Sequence, residues 1–158
     1  MAITGSIFWK DLEYKLVWHD SDSFEELKGK KLQQSYGVCF YRDKLVIVHG
    51  QIEWGLVGGH IEKGETIETA LEREAVEESN MKVLKQIPTG YQVVTNPDGS
   101  IDYQLRSFCL VEPIGPFIKD PDGSVSEIKL IDPEDYKKYF NWGKIGDRIM
   151  ERAIELLV

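Results

Sequence analysis

Glu74, Glu77 and Glu78 stand at spacings i, i+3 and i+4 in a run that reads as a helix from Thr66 to Ser79, so their carboxylates share one surface. With Ile67 as zero, the apolar residues Ile67, Ala70, Leu71 and Ala75 fall at about 0°, 300°, 40° and 80°, which defines the buried face. On the same projection Glu74 lands at about 340°, Glu78 at about 20° and Glu77 at about 280°, whereas Glu68 and Glu72 point to solvent. Two carboxylates therefore aim at the helix's own core and a third lies at its edge. Burying unpaired like charges is strongly unfavourable, so cations must compensate them. Arg73, four residues before Glu77, supplies one, and one guanidinium cannot neutralise three carboxylates. Hard divalent ions can. Oxygen-only ligation points to Mg²⁺, with Mn²⁺ able to substitute, and no Cys/His cluster calls for zinc. A solvated acidic helix face is the alternative reading of the same residues.

The loop in front of the helix separates the two. The run Trp54-Gly55-Leu56-Val57-Gly58-Gly59 leads into Glu65, and the whole stretch resembles the Nudix box, G-x5-E-x7-R-E-U-x-E-E-x-G-U, with U a bulky apolar residue. Gly59, Glu65, Arg73, Glu74, Glu77 and Glu78 match at the right spacing, with Ala75 and Met81 at the two apolar positions. Asn80 stands where the pattern has glycine. Asparagine is the next best residue for a left-handed helix end, so the change can be absorbed.

The resemblance implies a metal-dependent pyrophosphohydrolase in which water attacks phosphorus of a nucleoside diphosphate linked to another moiety, as in a nucleoside triphosphate, a nucleotide sugar or ADP-ribose. It implies that Glu74, Glu77 and Glu78 ligate the metal with the Gly58 carbonyl, while Arg73, Glu65 and Gly59 brace loop against helix. Glu77 and Glu127 are the candidates for the general base, with Glu74 beside them as part of the catalytic set. Glycines at 58 and 59 also let backbone approach an ion or phosphate closely. His60 reads either as a phosphate contact or as a bystander, and Trp54 as packing under the loop. Pro97 stands sixteen residues beyond Met81, where family members that cleave ADP-ribose carry a proline, although an ordinary turn also accounts for it.

Several elements must position this site. Tyr36 to Tyr41 and Lys44 to His49 read as two strands joined by the Arg42-Asp43 turn. Tyr91 to Thr95 and Ile101 to Val111 flank the Asn96-Pro97-Asp98-Gly99 turn, and Asp120-Pro121-Asp122-Gly123 leads into a strand from Val125 to Ile131. Leu12 to Trp18 alternates as a strand, Ser23 and Glu26 have capping-box spacing, and Asp132-Pro133 opens a further helix. From Lys144 onward, Ile145, Ile149, Ala153, Ile154 and Leu157 recur at helical spacing, with Trp142-Gly143-Lys144 ahead of them as core or pocket wall. Strands and helices interleave without βαβ regularity, so the expectation is an α+β fold. The resemblance specifies a Nudix-type α/β/α sandwich, a mixed sheet with helices on both faces, formed by residues 1–158 as a single domain.

Composition sets the outer bounds. A charge of −8, from 27 acidic and 19 basic residues, argues against extended nucleic-acid contact, and it would repel a polyphosphate unless bound metal reverses the local sign. The opening residues carry no export signal and no apolar run is long enough to span a membrane. Cys39 and Cys109 sit in apolar strands and read as buried reduced thiols, which suits a cytoplasmic setting. The implied partner is a small nucleoside diphosphate derivative, with room for a homodimer. Two other readings compete: a Nudix domain that senses a nucleotide without cleaving it, and an isopentenyl diphosphate isomerase on the same fold. Such sensors tend to lose box carboxylates, all present here, and the two cysteines lack the polar context of an isomerase site.

Overall fold

The structure, a computed structural model, describes residues 2–157. Met1 and Val158, which the single-domain expectation includes, lie outside the described residues. The strands in chain order are β1 (Ala2–Trp9), β2 (Leu12–Asp20), β3 (Leu32–Tyr41), β4 (Lys44–His49), β5 (Trp54–Gly55) and β6 (Val57–His60), followed by helix α1 (Ile67–Ser79). Then come β7 (Met81–Thr95), β8 (Ile101–Pro113), β9 (Glu127–Ile131) and helix α2 (Gly143–Glu155).

All nine strands join one sheet along the path β1-β2-β7-β8-β3-β4-β5, with β6 added to β3 and β9 to β4. The β3–β8 pairing is parallel and its neighbours are antiparallel, which makes the sheet mixed. Alternation along the strands then separates two cores. Val38, Phe40, Leu45, Ile47 and Phe108 pack with Ile145, Ile149, Met150 and Ala153 of α2. Cys39, Val46, Val48, Cys109 and Val111 pack with Leu71 and Ala75 of α1. The helices therefore lie on opposite faces, and the molecule is the α+β sandwich expected. Cys39 and Cys109 are buried free thiols.

Three local expectations need correction. Ser23 forms no capping box with Glu26; its hydroxyl accepts from the Glu25 N–H at 3.1 Å, ahead of a single 3₁₀ turn at Glu25–Leu27. Asp132-Pro133 likewise opens a 3₁₀ turn, Pro133–Lys138, in place of an α-helix. β7 begins ten residues before Tyr91, directly after α1, although Pro88 interrupts the run. The ladder absorbs that proline at a register shift between Pro88 and Gly90, the kind of irregularity in which proline is tolerated within a sheet.

Candidate functional site

α1 is fixed at both ends. The Thr66 hydroxyl accepts from the Thr69 N–H at 3.0 Å while the Thr69 hydroxyl accepts from the Thr66 N–H at 2.8 Å, a reciprocal cap that satisfies two otherwise orphaned donors. At the other end Asn80 takes a left-handed conformation, φ 53°. Its side-chain amide donates to the Pro116 carbonyl at 3.1 Å. The residue that departs from the box thus keeps the helix end that glycine would give.

Between these caps Ala70, Leu71, Ala75 and Glu78 are buried, and Glu78 is 8% exposed. Its carboxylate accepts the Gly58 backbone N–H at 2.8 Å. Burial nonetheless pushes the Glu78 carboxyl up to about 8, because one hydrogen bond does not replace its hydration and Glu74, Asp120 and Glu77 repel it. Glu74 and Glu77 are also raised, chiefly by desolvation.

Arg73 ties the loop to this face. Its Nε and Nη2 donate to Glu65 at 2.7 and 3.0 Å, and Nη2 also reaches the His60 carbonyl at 3.1 Å. Nη1 donates to Glu74 at 2.9 Å and to Glu77 at 3.3 Å. The bidentate pairing holds Glu65 below the usual carboxylate range and raises Arg73 above the ordinary guanidinium value.

Gly58 is required by a close approach of backbone, and Gly59 lies tight against a side chain. A Cβ on Gly59 would lie 2.9 Å from Oε1 of Glu74. At Gly58, φ is +146° and a Cβ would meet the Ser35 carbonyl oxygen at 2.4 Å. These positions place the β6 backbone directly against Glu74 and Glu78.

Sequence reasoning missed two neighbouring acids. Asp120 and Asp122 come from the loop before β9, and with Glu77 they bring three carboxylates within 4.8 Å of one another. Asp120 is buried and already occupied, its two oxygens accepting from the Asp122 and Val125 N–H groups at 2.8 and 3.1 Å. Asp122 is exposed. The turn signal Asp-Pro-Asp-Gly was visible; its closure onto α1 was not, because that contact is made only in the tertiary fold. Glu127 lies on β9, exposed and paired in register with His49, outside that carboxylate group. The His60 side chain is exposed. Pro97 sits in a turn closed by the Gly99 N–H donating to the Asn96 carbonyl at 2.9 Å.

The donor set fits a hard divalent cation. Glu74, Glu77, Glu78, Asp120 and Asp122 offer only oxygen, Arg73 is the one guanidinium bonded to them among the described residues, and desolvation has raised Glu74, Glu77 and Glu78. Beside this face opens a cavity of about 790 Å³, reached by Gly58 and Glu78 and walled in part by Trp54, Leu56 and Trp142. Trp54 is half-buried, edge-on to His49 and Tyr139 at 5.0 and 5.8 Å. Trp142 stacks on Phe140 at 4.3 Å and remains 39% exposed, so it is a cavity wall and not part of the core.

The family model for the NUDIX domain matches residues 31–153. Among solved structures, a Bacillus subtilis pyrophosphohydrolase superposes with TM-score 0.73 at 14% identity, over 96% of this chain and 97% of that one. A MutT protein from Bacillus halodurans gives 0.61 at 19% identity, over 78% and 82%. The NUDIX domain of Shewanella oneidensis NrtR, solved with ADP-ribose, gives 0.56 at 18%, over 85% and 93%. No curated protein matches.

Proposed function

The chain belongs to the Nudix family, and from that premise we propose that it is a metal-dependent pyrophosphohydrolase cleaving a nucleoside diphosphate linked to another moiety, by water attack on phosphorus. The observation that carries the proposal is the arrangement on α1: Glu78 buried against the Gly58 N–H, Glu74 against Gly59, and Glu77 facing Asp120 and Asp122. Carboxylates in such excess over cations are tolerated near neutral pH when a divalent ion joins them.

In this reading Glu74, Glu77 and Glu78 hold Mg²⁺, or Mn²⁺ in its place, with the Gly58 carbonyl as a further donor. The bound ion would orient water, lower its pKa and stabilise charge on the leaving oxygen. Arg73 and Glu65 keep the loop at the distance the glutamates need. Glu77 is the better supported general base, since its carboxylate is raised by burial and by Asp122. Glu127 is the second candidate. The cavity beside Gly58 takes the rest of the substrate.

Residues 1–158 act as one domain in this proposal. No helix among the described residues is long and apolar enough to cross a membrane, and buried reduced thiols suit a cytoplasmic setting. The test is a Mg²⁺-dependent screen of nucleoside triphosphates, nucleotide sugars, ADP-ribose and dinucleoside polyphosphates. Turnover of at least one class, abolished by EDTA, is expected; tight binding with no turnover of any class would favour a nucleotide sensor.

A further inference from the structure

Arg106 of β8 has no part in the metal face, yet it opens on the same cavity as Gly58 and Glu78. It is 8% exposed, and among the described residues its Nε is the one buried side-chain nitrogen or oxygen with no hydrogen-bond partner. Nη1 donates to the Leu105 carbonyl of its own strand at 3.3 Å, and the guanidinium stacks over the Tyr36 ring at 4.6 Å. No carboxylate pairs with it among the described residues, where Arg73, Arg148 and Arg152 all have acidic partners.

A buried cation without a counter-ion is costly, and here desolvation draws Arg106 down to about 10. Packing alone does not justify that cost, since a methionine would fill the volume without the charge. Registration across the sheet shows what could offset it. Tyr36 of β3 is paired with Gly58 of β6 on one side and with Arg106 of β8 on the other. Three neighbouring strands thus carry Gly58, Tyr36 and Arg106 in one row, which puts the Arg106 backbone roughly 10 Å from that of Gly58. The next row of the same face holds Gln34, Gln104 and Gln92, the last donating to Gln104 at 2.9 Å. Along these rows the otherwise largely apolar cavity is therefore polar, with one unpaired guanidinium in the row that carries Gly58.

We infer, on the reading that a diphosphate sits at the Glu74–Glu78 face, that Arg106 is a substrate-binding residue whose guanidinium holds a phosphate oxyanion, with the Tyr36 ring behind it. The planar fork of N–H donors suits an oxyanion better than a single neutral acceptor. The substrate is then held at two poles, by the carboxylate face through its ion and by Arg106 directly.

The experiment measures binding of α,β-methylene-ADP, whose bridge cannot be hydrolysed, and of adenosine, in Mg²⁺ buffer. The native protein is compared with Arg106→Met and Arg106→Lys, together with the melting temperature of each without ligand. Expected is a loss of about 10- to 100-fold in affinity for the diphosphate analogue in Arg106→Met. Arg106→Lys should show a smaller loss, adenosine binding should be equal in all three, and the unliganded Arg106→Met protein should melt no lower than native. Equal affinity of native and Arg106→Met for the analogue would overturn the inference, as would failure of the native protein to bind it at millimolar concentration. A parallel loss of adenosine binding would do so too, by assigning Arg106 to the base. Because the analogue is not turned over, the readout is separate from hydrolysis. Turnover in the screen with unchanged binding in Arg106→Met would remove this inference alone, and lost binding in a protein without turnover would remove only the hydrolase reading.

Discussion

The backbone N–H of Gly58 donates to the Glu78 carboxylate at 2.8 Å, across twenty positions of sequence, and so fixes the β6 backbone against α1. The β3–β6 pairing that presents this N–H leaves no room for a side chain at residue 58. Gly58→Ala would force a Cβ to within 2.4 Å of the Ser35 carbonyl at a φ of +146°. A loss of roughly 1 to 3 kcal/mol is expected from the backbone strain, together with weakened Mg²⁺ binding. Chemical denaturation and calorimetric metal titration of the variant measure the two.

Glu78, pushed up to about 8, makes metal-free stability depend on pH in a defined direction. Below the ordinary carboxylate value of about 4.5 both folded and unfolded forms carry the proton, and nothing is lost. Between there and about 8 the unfolded chain has released the proton while the folded one retains it, so stability falls as pH rises, then levels off. Glu78→Gln should remove this decline, leaving the variant more stable than native in EDTA above pH 8. Mg²⁺ affinity of the native protein should rise over the same interval, with proton release on binding. Melting curves across pH, with and without EDTA, check both.

Arg73 donates to Glu65, Glu74, Glu77 and the His60 carbonyl. Removing it leaves these carboxylates facing one another, so Arg73→Ala should lower metal-free stability by about 2 to 3 kcal/mol. Millimolar Mg²⁺ should restore part of that loss by replacing the missing positive charge. Denaturation midpoints in EDTA and in Mg²⁺ give the comparison.

Asp120 and Asp122 are close to Glu77 but are engaged differently. Asp120 is consumed by its own turn, so Asp120→Asn should lower stability by about 1 kcal/mol or more through weakened backbone contacts. Asp122 is exposed, and Asp122→Asn should leave the melting temperature nearly unchanged while reducing Mg²⁺ affinity. Unaltered affinity in Asp122→Asn would place the loop outside the metal site.

The legible part of this molecule is the local part. Residues 66 to 80 announce their helix, its left-handed end at Asn80 and its misplaced glutamates because periodicity and helix-end preference are carried within a few positions, whereas the Thr66–Thr69 cap went unread. β3 and β4 are equally plain, being dense in β-branched and aromatic residues about a two-residue turn. β1 escaped because Thr4, Gly5 and Ser6 break its alternation, and most of its residues are exposed. The first two-thirds of β7 escaped because Lys82, Lys85 and Pro88 do not look like a strand interior. Asp122 and Arg106 were invisible for a different reason. What matters about them is which residues face them across the fold, and that depends on loop closure and sheet register, which no local pattern encodes.

Turnover in Mg²⁺ of whichever diphosphate the screen identifies, compared between the native protein and Glu77→Gln, bears most directly on the assignment of chemistry to the α1 glutamates. The variant is expected to fold with a native-like circular dichroism spectrum and to lose roughly 10²- to 10⁴-fold in kcat, the contribution of a positioned general base. Equal turnover in the two proteins, or native turnover that persists in EDTA, would contradict it.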